Sequence, residues 1–220
     1  MPENEDIKEM FLRSLTSKKP THILLWGEVG TAKTLFMQEL ARLPRSRYAL
    51  GGSSTKAGIA RFLIDSKPLF LLIDERMGGC PPSRQIDKMS TDDYSVLLSL
   101  METGIVSELK AGRTEEVKLN TRVYAACNDV NVIPPELLSR FIKFRIRRYS
   151  ASEFRKVVLR VLTEREGVEE RLAKYISDRL VRLTRDVRCA VQVARMMQDP
   201  SRREVDRIIE IFKKYDAFIA

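Results

Sequence analysis

The most constraining feature of this chain is an apolar run, Ile23-Leu24-Leu25-Trp26, that stops at Gly27 and opens onto Gly27-Glu28-Val29-Gly30-Thr31-Ala32-Lys33-Thr34. Residues 35–43 follow with helical spacing until Pro44 stops them. A short apolar run bounded by glycine reads as a buried strand. A strand, a glycine-bearing turn and a helix in that order form a phosphate-binding loop. The glycines let backbone N–H groups turn inward around phosphate oxygens. In such a loop Lys33 reaches the β- and γ-phosphates and the Thr34 hydroxyl ligates Mg²⁺. Ala32 stands where the usual pattern has a second glycine, and alanine suits that position if its φ is already helical.

The strongest buried-strand signal is Leu69-Phe70-Leu71-Leu72-Ile73, which runs directly into Asp74-Glu75. A parallel strand delivers its last residues to the carboxyl edge of the sheet, where ligands of open α/β sheets bind. Asp74 is then placed to hold Mg²⁺, mainly through water, and Glu75 to polarise an attacking water. The phosphate loop and this acidic strand end together predict ATP and Mg²⁺ as ligands.

Around these two motifs, residues 7–15, 57–64 and 91–101 read as helices, and residues 48–50, 123–127 and 142–146 as strands. Residues 105–109 and 116–119 flank Lys110-Ala111-Gly112-Arg113 as a hairpin with a basic tip. Beyond Tyr149 the pattern becomes wholly helical, over residues 152–162, 169–183, 187–197 and 203–218. The expected domains are therefore an α/β domain, 1–149, and a helical lid, 150–220, with nucleotide bound between them. The 44% hydrophobic content supplies a sizeable core. The three cysteines are widely spaced without a CxxC, which disfavours a disulfide framework or a zinc site. No segment approaches the roughly 20 apolar residues of a membrane span. The acidic, polar start is no signal peptide, so the expected location is the cytoplasm. The net charge of +9 suits a nucleic-acid partner, but the basic residues are dispersed, as on an ordinary solvated surface.

Several further stretches extend the two motifs into an ordered series. These are GSSTKAG (residues 52–58), IDKM (86–89), MET (101–103) with KAG (110–112), AACND (125–129), LLSRF (137–141) and TRDVRCAVQVARM (184–196). In this order they resemble AAA+ ATPases, in the branch of the minichromosome maintenance helicases and the Holliday-junction branch-migration motor. The resemblance spans residues 20–197. It implies a five-stranded parallel sheet of order 5-1-4-3-2 and a ring, expected to be a hexamer. It also implies roles for single residues: Asn128 as sensor 1, Arg140 as an arginine finger acting on a neighbouring subunit, and Arg188 as sensor 2 at the γ-phosphate. Such positive groups around the transferred phosphoryl oxygens suit the charge that develops there. Arg185 lies close enough in sequence to Arg188 to exchange roles with it, and Arg140 also reads as a surface ion-pair partner.

In the resembled helicases the hairpin lysine contacts the DNA backbone, which makes Lys110 and Arg113 candidates for DNA contact; a solvated turn is the plainer reading. One departure is clear. Residues 76–85 (RMGGCPPSRQ) stand between Glu75 and Ile86, where the resembled pattern continues without interruption. The segment places catalytic turnover in question more than ATP binding. The chain length leaves no room for the DNA-binding domains of the resembled helicases, so a stand-alone module is expected. Three functions follow: a DNA-directed motor, a protein-remodelling ATPase, or a nucleotide-binding regulatory subunit. His22, the only histidine, reads as a half-buried strand residue without a functional role.

Overall fold

The computed structural model describes residues 5–217, except 29, 32, 50–55, 75–90, 111–112 and 132, and except the side chains of 91–93, 110 and 113. The described residues fall into two compact units. One comprises Asp6–Gly27 with Lys33–Ile146; the other runs from Arg147 onward and includes the described residues of Glu28–Ala32.

The first unit is built on five parallel strands, β1 (His22–Trp26), β2 (Ser46–Tyr48), β3 (Phe70–Ile73), β6 (Arg122–Cys127) and β7 (Phe141–Arg145). Their order is β2-β3-β6-β1-β7, which, numbered by appearance among the parallel strands and read from β7, is 5-1-4-3-2. β3 and β6 are buried at every position, as continuous apolar runs must be when both faces of a sheet are covered. Helix α2 (Lys33–Ala41) packs on β2, β3 and β6, and α3 (Lys56–Ser66) and α4 (Thr91–Glu102) pack on each other and on β4. Strands β4 (Ile105–Lys110) and β5 (Arg113–Lys118) form a separate antiparallel hairpin. They reach closer to the turn than the apolar pattern predicts, with Lys110 opposite Arg113. The turn residues 111–112 and the tip side chains lie outside the described residues.

Helix α1 (Glu5–Thr16) joins this core through one cross-strand anchor. Phe11 stacks on Phe36 at 5.6 Å and lies 5.3 Å from the fully buried Tyr124 ring. The Tyr124 and Ser14 hydroxyls are 2.5 Å apart, and Arg122 donates to the Ser14 and Ser17 carbonyls at 2.8 and 2.6 Å. A second anchor corrects the reading of His22. It is only 5% exposed; its Nδ1 accepts from the Val123 N–H at 3.0 Å and its Nε2 faces the Met101 carbonyl at 3.3 Å. Nε2 therefore carries the proton, and the ring ties β1 to β6 and to the end of α4. A local alternation pattern cannot reveal partners that distant.

Helix α5 (Pro135–Leu138), a single turn with Pro135 at its start, was not expected from the sequence because so short a helix has no periodicity. The second unit contains α6 (Ala151–Glu164), α7 (Glu170–Leu180), α8 (Val187–Met196) and α9 (Arg202–Lys214). Phe154, Val157, Val158 and Leu162 form the buried stripe of α6 and meet Ile176, Ala190, Val193 and Val205 in one core. Ser150 and Glu153 close a capping box at the start of α6. Helices α7 and α9 stop short of the expected 183 and 218. At the α9 end, Tyr215 leaves helical geometry and Asp216 has φ +50°. Among the described residues, no helix is long and apolar enough to cross a membrane.

Candidate nucleotide site

In the α/β unit, the register places three candidate groups at one sheet edge. Trp26 pairs with Cys127 and Ile73 with Ala125, so Gly27, Asp74 and Asn128 leave neighbouring strands β1, β3 and β6 at their carboxyl ends. Gly27 adopts φ +146°, and a Cβ there would come within 2.2 Å of the Ile146 carbonyl oxygen. Only glycine fits this close approach of β1 and the end of β7.

Lys33, the first residue of α2, is 5% exposed and donates to the Gly27 carbonyl at 2.6 Å. A buried ammonium needs such a partner, because an unpaired charge away from water is costly. The bond folds the loop back on itself and keeps the charge inside it. Thr34 is half-buried in the first turn of α2. Asp74 is 5% exposed directly after β3. Its charge is felt by Tyr48 on β2, a residue not singled out from the sequence. The Tyr48 phenol is pushed up to about 12, chiefly by burial and secondly by the Asp74 carboxylate, so it stays protonated at neutral pH. Asn128 is half-buried. A buried carboxylate and a hydroxyl are hard oxygen donors suited to Mg²⁺, and the buried lysine suits phosphate, so the described residues fit a magnesium nucleotide. Glu75, Val29 and Ala32 lie outside the described residues, as does the segment 76–85.

Arg140 is not at this edge. It precedes β7, whose first residue Phe141 pairs with His22 at the start of β1. With strands rising about 3.3 Å per residue, roughly 17–20 Å of sheet separates its level from that of Gly27. Its guanidinium is bound to Glu102 of the same chain at 2.9 Å, and both side chains are substantially exposed.

The remaining candidates belong to the helical unit. Thr31 is buried and donates to the Glu28 carbonyl at 2.7 Å, which tightens the loop turn. Glu28 is held by Arg148 through an ion pair, and Gly30 adopts φ +85°. Arg188 is the second residue of α8 and is bound by the Asp186 carboxylate. Arg185 lies instead over the Phe154 ring, 5.9 Å from its centroid. Of the two arginines, Arg188 is the one that pairs with a carboxylate among the described residues. Asp186 was not singled out from the sequence. Its readable signal was its N-cap position before Val187.

The chain matches the model of the MCM P-loop domain over residues 8–141. It is 30% identical, over 182 residues, to the minichromosome maintenance protein MCM of Saccharolobus solfataricus, covering 71% of this chain and 24% of that protein. It is 32% identical, over 174 residues, to the DNA replication licensing factor MCM4 of Drosophila melanogaster, covering 63% and 20%. This chain thus spans less than a quarter of the length of both relatives. Two mutant forms of Thermotoga maritima RuvB share its fold with TM-scores of 0.66 and 0.67, at 17% identity and 95% coverage of this chain, and 69% and 70% coverage of theirs. With the family model spanning more than half of it and the sheet order in agreement, the chain belongs to the MCM P-loop domain family of AAA+ proteins.

Proposed function

We propose that this chain binds and hydrolyses Mg-ATP as one subunit of a ring, most simply a hexamer, that acts on DNA. The observation that carries this reading is the division of the candidate groups between the two sheet edges. Lys33, Asp74 and Asn128 belong to the carboxyl edge, whereas Arg140 stands at the opposite edge, roughly 17–20 Å away along the strands. An arginine so placed serves a second copy of the chain better than its own.

In this reading Lys33 binds the β- and γ-phosphates, and the N–H groups of the Gly27–Thr34 loop hold the remaining phosphate oxygens. Thr34 and Asp74 would hold the metal, Asp74 mainly through water. Bound Mg²⁺ would neutralise charge on the phosphate oxygens. Glu75 accepts a proton from the attacking water, and Asn128 orients that water or the γ-phosphate. Arg140 of a neighbouring subunit and Arg188 stabilise the charge that grows on the transferred group. Lys110 and Arg113 at the hairpin tip supply contacts to the DNA backbone, which carry no sequence information. The similarity to a protein named a DNA replication licensing factor supports DNA over other substrates.

The test is steady-state ATPase with and without single-stranded, duplex and four-way-junction DNA, at low and moderate salt, beside Glu75→Gln. Stimulation that weakens with salt and disappears in the variant is expected. Basal turnover unmoved by any DNA points to a protein substrate. Absence of turnover points to a regulatory subunit and makes deletion of residues 76–85 the next variant.

A further inference from the structure

Arg188 gives its guanidinium to the carboxylate of Asp186. Its Nε lies 2.9 Å from both Oδ1 and Oδ2 of Asp186, and its Nη2 donates to Oδ2. The Arg188 backbone N–H donates to Oδ1 at 2.9 Å, so one carboxylate both caps α8 and clamps the side chain. The same carboxylate lies against the phosphate loop. Gly30 has φ +85°, and a Cβ built on it would stand 3.0 Å from Cγ and 3.2 Å from Oδ2 of Asp186. Asp186 is well covered, with its side chain 12% exposed against 38% for Arg188. Its charge is felt nearby: the Cys189 thiol is pushed up to about 11, first by burial and next by Asp186.

A carboxylate pressed on a glycine of a phosphate loop stands where negative charge opposes an incoming phosphate. The guanidinium it clamps belongs to Arg188, the residue assigned to the γ-phosphate. We propose that Asp186 is a built-in competitor for Arg188, so that nucleoside triphosphate binds by taking Arg188 from Asp186. The proposal rests on the nucleotide-binding reading above and adds a specificity-determining residue to it. Apparent affinity falls by the fraction of chains in which Arg188 is held away from the ligand. A triphosphate carries the γ-phosphate that can compete for the guanidinium, and a diphosphate does not. Asp186 therefore sets how far the site separates ATP from ADP.

Asp186→Asn separates the two roles of the residue, because asparagine is as good an N-cap as aspartate but carries no charge. Equilibrium titrations with N-methylanthraniloyl-ATP and N-methylanthraniloyl-ADP would be run on the whole chain, for the wild type, Asp186→Asn, Arg188→Ala and the double variant. The expected result is tighter ATP binding in Asp186→Asn by about 3- to 10-fold, with a smaller change for ADP. In the Arg188→Ala background the same substitution should lose most of its effect on ATP. Equal gains with and without Arg188 would reduce Asp186 to a local repulsive charge and overturn the competitor role. Unchanged or weaker ATP binding in Asp186→Asn, with the wild type binding normally, would overturn the proposal and leave the nucleotide site standing. No binding by the wild type would remove both.

Discussion

The α/β unit and the helical unit hold their candidate groups in different ways. In the α/β unit, position comes from backbone. Lys33 and Asp74 are each 5% exposed, one at the first turn of α2 and the other at the end of a fully buried strand. Moving Asp74 means moving the sheet, and the Lys33 ammonium is tied to the end of β1 through the Gly27 carbonyl. In the helical unit, Arg188 is half-exposed and its placement depends on one ion pair. Exposed and half-exposed pairs contribute little, about 0–1 kcal/mol, and exchange partners readily. The contrast suits the proposed chemistry: groups that hold phosphate and metal are built in advance, and the group that answers to the γ-phosphate is held by something it can release.

The largest expected effect lies at the rigid end. Lys33→Ala removes the buried charge at the start of α2, and ATP affinity should fall by about 100-fold or more. Titration with a fluorescent ATP analogue measures it. Undiminished affinity would mean that the backbone loop alone holds the phosphates, and the contrast between the two units would lose its main support.

The second effect is acid sensitivity confined to the α/β unit, which holds the only histidine of the chain. Burial, opposed by the Met101 carbonyl and helped by Arg122, lowers the pKa of His22 to about 4. An unfolded chain takes up that proton near pH 6.5, whereas the native state resists it down to about pH 4. The stability that His22 contributes is thus complete above pH 6.5 and lost as pH falls through this window, by about 3 kcal/mol in all. Denaturant unfolding between pH 7 and pH 4 should show the loss, and His22→Gln should flatten it. A profile unchanged by the substitution would place the acid sensitivity elsewhere.

The smallest effect sharpens the other side. Ser150→Ala removes the capping box of α6, with its 3.2 Å Ser150–Glu153 bond, and should cost about 1 kcal/mol. Thermal unfolding measures the cost, while ATP affinity of the Lys33 loop should not change. A large loss of affinity would show that this cap contributes to nucleotide binding as well as to folding.

Much of the α/β architecture was legible in the sequence. β1, β3 and β6 are short apolar runs that end in glycine, aspartate or asparagine, and a buried parallel strand has few other ways to be written. The sheet order came from resemblance, not from the residues. What was not legible depends on distance or on geometry shorter than a helical turn. His22 meets Met101 and Val123 only after the sheet closes. Tyr48 feels Asp74 only because β2 lies beside β3. Arg140 was given a role at a neighbouring subunit only by resemblance, and its position at the far edge follows only from the register of β7. Asp186 and Arg188 are two positions apart, a spacing that does not face across a helix. They meet because Asp186 is the cap rather than part of α8.

The central claim is that each site is completed by Arg140 of another copy. It is tested most directly by mixing two inactive variants, Lys33→Ala and Arg140→Ala, and measuring ATPase. The first retains its arginine but has no working phosphate loop; the second retains its loop but has no arginine to lend. If Arg140 acts across the interface, neither variant alone turns over ATP, and the mixture recovers a substantial part of wild-type activity. If Arg140→Ala alone keeps full turnover, or the mixture stays as inactive as its parts, the assignment of Arg140 to a neighbouring site is wrong.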